Sequence, residues 1–500
     1  MLGRRECGIL IHLTSLPSSF GIGDLGPWAC RFADFLAAGR QKYWQMLPLN
    51  PTDSIHNDSP YSSISAFACN PLLISPDLLV QDRLLRPADL ENIPDFPAGR
   101  VDFPAVHALK RKLLEKAHER FLTEGNRREF FSFCEEESSW LDDFSLFRTL
   151  KHSRKGEIWS DWPAPLRDRH PEAIQEARSE FAGAVEREKF YQYLFFNQWR
   201  ALRRFANERG IQIIGDMPIY IDYDSADVWV HPDLFKLNDR KKPEVVAGVP
   251  PDYFSKTGQR WGNPIYRWEE MKESGYAWWL KRMERNLRLF DWVRIDHFRG
   301  LVAFWEIPAE KETAVNGRWV AAPAMDFLTC LIQKFPRLPV IAEDLGIITP
   351  EVHDVMNHFG FPGMKVLLFA FGQDIPSNPY IPHNLPRNCI AYTGTHDNNT
   401  IRGWFQGETS LEDRKRIFRY LGREVPPEDL PHEFIRLLMR SAADTIILPV
   451  QDLLGLEAEA RMNQPATCKG NWEWRLKPEM LTPEIFEELG DMIEIYGRAL

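Results

Sequence analysis

The chain has 500 residues, 44 % of them hydrophobic, which is ample for a large core. Its 61 basic and 71 acidic residues leave a formal net charge of −10 at pH 7, a mild negative excess that argues against nucleic acid or anionic membrane as the main partner. No apolar run is long enough to cross a bilayer, and the run behind the basic start MLGRREC covers only Gly8 to Leu13, too short for a signal peptide, so a cytoplasmic location is expected.

Short apolar, β-branched runs recur along the chain, each followed by a turn and a longer helical pattern. That alternation predicts βα units around a parallel sheet. The first two candidate strands are Gly8–Leu13 and Tyr43–Leu49. A charged segment at 51–205 reads as a mostly helical insertion; within it Val106–Leu122, VHALKRKLLEKAHERFL, has apolar residues at helical spacing. After the third candidate strand, Gln212–Ile221, a second insertion at 223–286 holds Pro- and Gly-rich loops. Then come Trp292–Phe298, Val340–Leu345, Met364–Phe371, Cys389–Gly394 and Thr445–Val450. Thr482, followed by Pro483 and Glu484, opens a closing amphipathic helix. Eight strands fit a closed (β/α)8 TIM barrel, with residues 1–500 as one domain and the insertions at the C-terminal face, where such barrels keep their active sites. An open doubly wound sheet is the other reading; against it, no G-x-G-x-x-G or G-x-x-x-x-G-K-[ST] follows any strand.

The seven cysteines, Cys7, Cys30, Cys69, Cys134, Cys330, Cys389 and Cys468, are scattered, odd in number and without a C-x-x-C pair. Neither a disulfide framework nor a zinc site is expected. The chemistry is carried instead by four polar motifs at the carboxyl ends of candidate strands: GDMPIYI (Gly215–Ile221), DWVRIDHFRG (Asp291–Gly300), VIAEDLG (Val340–Gly346) and YTGTHDNN (Tyr392–Asn399). A single acid after an apolar run reads equally as a helix cap; four, after different strands, do not. Arg294 and Asp296 are two apart and so share a face on a strand, where the guanidinium favours an ionised carboxylate, as a nucleophile requires. Glu343 follows Val340, Ile341 and Ala342; apolar surroundings and a neighbouring carboxylate raise a carboxyl pKa, which suits a general acid. Asp397 lies with His396 on a later strand, placed to bind sugar hydroxyls. Paired carboxylates on neighbouring strands fit cleavage of a glycosidic bond. They also suit a divalent metal, with Glu343, Asp344, Asp216 and the histidines as candidate ligands, but no H-x-H or H-E-x-x-H spacing supports one, and no metal is expected.

The four motifs, in this order, resemble the four short conserved regions of the α-amylase clan. The stretches GILIHLTSLPSSFGIGDLG (Gly8–Gly26), SPYSSISAFACNPLLI (Ser59–Ile74) and GVPPDYFSKTGQRWGNPIYRW (Gly248–Trp268) resemble one family within it, the bacterial 4-α-glucanotransferases, also called amylomaltases or disproportionating enzymes. The resemblance implies an enzyme that moves a segment of an α-1,4-glucan onto glucose or another α-1,4-glucan, without a cofactor. It implies Asp296 as nucleophile, Glu343 as acid/base and Asp397 as transition-state stabiliser. Arg294, His297 and His396 would hold these groups or the sugar, Asp216 is the acid of the first region, and Ser59, Tyr61, Asp252, Gln259 and Trp261 match substrate-contacting positions. The loop Gly248–Trp268, with Tyr253, Phe254, Trp261 and Tyr266, is placed to cover the cleft. Two departures stand out: His12-Leu13-Thr14 where the family opening has H-P-T, and Ala466 in RMNQPAT where a glycine is usual, a change that matters if the position needs positive φ. A hydrolase of the same fold and a non-catalytic glucan-binding protein are the competing functions.

Overall fold

Eight short, mostly buried strands, four of which run into the polar motifs, form the centre of the molecule in the computed structural model, which describes residues 4–251, 255–467 and 469–498. In chain order the strands of the protein are β1 (Glu6–Leu10), β2 (Tyr43–Gln45), β3 (Gln212–Met217), β4 (Val245–Val249), β5 (Gln259–Pro264), β6 (Trp292–Ile295), β7 (Ala303–Pro308), β8 (Arg318–Ala321), β9 (Val340–Ala342), β10 (Gly363–Val366), β11 (Cys389–Tyr392) and β12 (Thr445–Pro449). Eight of them are parallel, in the order β10-β11-β12-β1-β2-β3-β6-β9. The seam between β9 and β10 is crossed by the Ala342 N–H, which donates to the Pro362 carbonyl at 2.9 Å. The sheet is therefore a nearly closed (β/α)8 barrel.

All eight strands read from the sequence are present, but most stop before their motif ends. β3 ends at Met217 because Pro218 has no N–H to continue the ladder. The residues beyond leave the sheet and become the loops of the C-terminal face. Close packing also explains Gly215 within β3: a Cβ there would lie 2.1 Å from the Phe290 ring.

Between β2 and β3 the chain is mostly helical. Helix Phe103–Glu124 contains the segment read as amphipathic, and the Asp102 carboxylate caps it by accepting from the Ala105 N–H at 3.1 Å. The 27-residue helix Ala182–Glu208 leads into β3. Its buried Gln192 amide exchanges two 2.9 Å hydrogen bonds with the Cys69 backbone, as a neighbouring strand would. Segment 69–75 thereby follows the helix without being a strand. The segment expected to be loop-rich holds β4 and β5 as well as loops. These join β7 and β8 in a four-stranded antiparallel sheet of order β5-β4-β7-β8. β5 reads QRWGNP, with neither alternation nor β-branched residues, so no period marks it as a strand. The terminal helix Pro483–Ile495 packs Phe486 on Phe35 with ring centroids 5.2 Å apart. The six described cysteines are free, Cys468 lying outside the described residues, and no described helix is long and apolar enough to cross a membrane.

Candidate active site

The acids of the four motifs collect at the C-terminal end of the barrel. On β3 and β6, Asp216 stands opposite Arg294 in the ladder. The Arg294 guanidinium donates from Nη1 to Asp216 Oδ1 and Oδ2 at 2.7 and 2.6 Å, and its Nη2 lies 3.0 Å from Asp296 Oδ1. Arg294 and Asp296 thus face the same side, as their spacing requires. Burial works against the charge of Arg294, but Asp216 and Asp296 outweigh it and hold the guanidinium firmly protonated. The hydroxyl of Tyr61 donates to Asp216 Oδ2 at 2.7 Å, so Asp216 is enclosed by two partners from different parts of the chain.

Asp296 and Glu343 are each the first residue after a strand. The Asp296 N–H donates to the Met217 carbonyl at 3.0 Å and the Glu343 N–H to the Ile295 carbonyl at 3.1 Å, so both extend the ladder by one step and stand side by side. The Glu343 carboxyl is gripped by backbone: Oε2 accepts from the His297 N–H at 2.7 Å and Oε1 from the Leu345 N–H at 2.8 Å. The first of these requires the left-handed turn at His297, whose φ of 51° strains a non-glycine residue. Burial, then the neighbouring Asp296, push the Glu343 carboxyl up to about 8, against the pull of Arg294 and the two amides. Burial also lowers the His297 imidazole to about 4, which keeps it neutral.

Asp397 is positioned differently. β11 ends at Tyr392, so Asp397 and His396 sit on the following loop and not on a strand as the sequence suggested. The loop turns on Asn398, whose Oδ1 accepts from the Thr395 N–H and hydroxyl, both at 2.9 Å. Asn463 Nδ2 donates to Asp397 Oδ1 at 2.6 Å, and Arg461 Nη2 donates to the Asp397 carbonyl at 2.7 Å. These two residues were missed by sequence reasoning, although they stand in RMNQPAT, a stretch singled out only for Ala466. The His396 ring stacks on Tyr61 at 5.0 Å and 18°, and Trp472, also missed, packs against both.

Ser59, Tyr61, Gln259, Trp261, Arg294, His297 and His396 line one cleft of about 620 Å³ together with Asp296, Glu343 and Asp397. Asp216 does not reach it; it lies buried beneath, behind Arg294 and Tyr61. Asp252, with Tyr253 and Phe254, lies outside the described residues. Trp261 is 39 % exposed, its indole meeting the His297 ring edge-on at 4.8 Å and donating to Gln259 Oε1 at 3.1 Å. Ala466 on the cleft rim has φ 63°, a conformation in which glycine is unstrained and alanine costs about 1–2 kcal/mol.

A barrel with an arginine-held aspartate beside a proton-retaining glutamate, under a cleft flanked by exposed aromatic rings, defines a carbohydrate-active TIM-barrel enzyme. The model of the 4-alpha-glucanotransferase family matches residues 11–482. The 4-alpha-glucanotransferases of Aquifex aeolicus and Thermus thermophilus are 47 % and 48 % identical over 495 and 505 aligned residues, covering 99 % of this chain and 99 % of each relative. The solved amylomaltase of Streptococcus agalactiae, in complex with acarbose, superposes with a TM-score of 0.96 at 40 % identity, over 99 % of this chain and 100 % of that one. That of Corynebacterium glutamicum, 19 % identical with a TM-score of 0.79 over 99 % of this chain and 75 % of that one, shares the fold. The chain belongs to the 4-alpha-glucanotransferase family, and its activity is that of a 4-alpha-glucanotransferase.

Proposed function

We propose that this enzyme transfers a segment of an α-1,4-glucan to the 4-hydroxyl of glucose or of another α-1,4-glucan by a retaining double displacement. Asp296 attacks the anomeric carbon while Glu343 gives its proton to the departing glycosidic oxygen. The glucan segment is then an ester of Asp296, and the shortened sugar leaves as an alcohol. Glu343, now a carboxylate, takes the proton of an incoming 4-hydroxyl as that oxygen displaces Asp296. Each turn breaks one glycosidic bond and makes another.

The observation that carries this reading is the contrast between two adjacent carboxyls: Asp296 on the Arg294 guanidinium, Glu343 pushed up to about 8. The first is held by a guanidinium, and the second is set to hold a proton at neutral pH. Esterification of Asp296 removes one of the two causes that raise Glu343, which favours its second role as base. Neighbouring strands lie roughly 4.8 Å apart, a spacing that suits the ~5–5.5 Å between carboxyls of retaining enzymes better than the ~6.5–9.5 Å of inverting ones. Asp397, held by Asn463, would grip sugar hydroxyls in the transition state. Arg294 and His297 would hold the reacting carboxyls, and His396 the sugar beside them. Asp216 would act at one remove, by fixing Arg294 and Tyr61. Ser59, Gln259, Trp261 and Asp252 would contact the glucan, a role consistent with the acarbose bound by the Streptococcus relative.

With maltotriose as sole substrate, glucose and a ladder of longer maltooligosaccharides are expected, with reducing ends nearly constant. Hydrolysis uses the same residues but raises reducing ends in step with substrate loss; that pattern from the earliest times would replace this reading by the hydrolytic one. Trp261→Ala is expected to cost about 1–3 kcal/mol in kcat/KM with little change in melting temperature, because the residue is 39 % exposed where it lines the cleft. A large fall in melting temperature with normal kinetics would assign Trp261 to loop packing.

A further inference from the structure

Two acids follow β9 in succession, and the mechanism uses only the first, Glu343. The second, Asp344, is 3 % exposed and turned away from the cleft toward the barrel seam. A parallel ladder continued past the bond between Ala342 and Pro362 would have the Met364 N–H donate to a β9 carbonyl. It donates instead to Asp344 Oδ1 at 2.6 Å, and Lys365 Nζ donates to Asp344 Oδ2 at 3.3 Å. Gly363 leaves room for this arrangement, since a Cβ there would lie 2.6 Å from Oδ2 and 2.7 Å from Oδ1. Gly363, Met364 and Lys365 of β10 are thus fitted to one carboxylate.

Asp344 is also the middle residue of the turn in which Glu343 Oε1 accepts from the Leu345 N–H. On the β6 side this turn is fixed by backbone, with the Glu343 N–H on the Ile295 carbonyl and the Phe298 N–H on the Glu343 carbonyl at 3.2 Å. On the β10 side the Asp344 carboxylate makes the tie. A shift of residue 344 therefore moves both the backbone that carries Glu343 and the amide that holds its carboxyl.

We infer that Asp344 is a positioning residue for proton transfer: by tying the end of β9 to β10 across the seam, it sets where the Glu343 carboxyl stands against the glycosidic oxygen. This rests on the reading of Glu343 as acid and base given above. Asp296 follows β6, which pairs with β9 on the side away from the seam, and it is held by Arg294. Loss of the tie therefore displaces the proton donor and spares the nucleophile. The two can be separated by the leaving group. A departing sugar takes the Glu343 proton on its oxygen. In α-maltosyl fluoride Asp296 displaces fluoride, which leaves as the anion and needs no proton, so kcat/KM for that donor reports the nucleophile without the acid.

The test measures kcat/KM for maltotriose and for α-maltosyl fluoride in the wild type, Asp344→Ala, Asp344→Asn, Gly363→Ala and, as reference, Glu343→Gln. Asp344→Ala should lower kcat/KM for maltotriose about 10- to 100-fold and that for the fluoride less than about threefold, the cost of a misplaced proton donor. Gly363→Ala pushes on the carboxylate from β10 and should show the same selectivity. Asp344→Asn keeps an acceptor for the Met364 N–H and should recover most of the lost rate. Parallel losses on the two donors in Asp344→Ala are what a loosened barrel would give, and they would overturn the assignment, as would no loss on either. An asparagine variant no better than alanine would overturn it too, by showing that the seam bond is not the cause. Gly363→Ala leaves Asp344 in place and decides between the same outcomes if Asp344→Ala folds poorly. Glu343→Gln separates the two readings. If it loses both donors alike, the acid role of Glu343 fails; if it spares the fluoride and the Asp344 variants do not, that role stands and the positioning role falls.

Discussion

Asp296→Asn and Glu343→Gln will each lower transfer by about 10²–10⁴-fold or more while leaving the barrel folded. Both replacements are near-isosteric, and the ladder bonds of both positions are made by backbone, not side chain. Asparagine cannot form the glycosyl ester, and glutamine cannot give a proton to the leaving oxygen. The pH profile supplies a second signature. Glu343 is raised from its ordinary range to about 8, so in the free enzyme it is protonated below that value and loses its proton as pH rises through it. kcat/KM should therefore fall above pH about 8. The sign for stability is the same: a folded-state pKa above the unfolded one favours folding at low pH, and that contribution is lost as pH rises through about 8. In Asp296→Asn the neighbouring charge is gone, and the Glu343 titration, followed by NMR of a labelled carboxyl, should move down. Activity within twofold of the parent for either pure variant would defeat the assignment, and an unmoved Glu343 titration would remove Asp296 as a cause of its shift.

The next largest effect is expected at Arg294. Its buried guanidinium spans two carboxylates, reaching Asp216 with one nitrogen and Asp296 with the other. Arg294→Lys keeps the charge but not the planar fork, so one of the two carboxylates loses its partner. A displaced Asp296 misses the in-line geometry, and an error of about 1 Å in a reacting group costs on the order of 10²-fold. Arg294→Met removes the charge as well, leaving Asp216 buried with Tyr61 alone, and should destabilise the protein by about 3–5 kcal/mol in denaturant unfolding. Lysine activity within threefold of the parent would show that charge alone suffices and that the bridging geometry is unimportant.

The barrel was legible because its signals are local. Each strand is a short apolar run between turns, and each acid follows such a run, so strand order and the face of Arg294 and Asp296 could be read from spacing. The environment of Glu343 was legible for the same reason: Val340, Ile341 and Ala342 precede it, and its partner is on the adjacent strand. The antiparallel sheet of β4, β5, β7 and β8 was not, because β5 carries no alternation and pairs with a strand whose other neighbour comes from beyond β6.

By itself, then, the sequence determined the repeating βα architecture, the candidate acids that the barrel gathers and the family, through motifs whose residues are close along the chain. Closure of the barrel decided the rest. It set the Tyr61 hydroxyl on Asp216 across 155 residues and the Asn463 amide on Asp397 across 66. It placed Asp216 behind the cleft wall instead of on it, moved Asp397 from a strand to a loop, and put Ala466 at a positive φ of 63°. Such contacts join loops that follow different strands. Their separations depend on how the strands are staggered around the barrel and how side chains pack between them, and no periodicity in the chain encodes either.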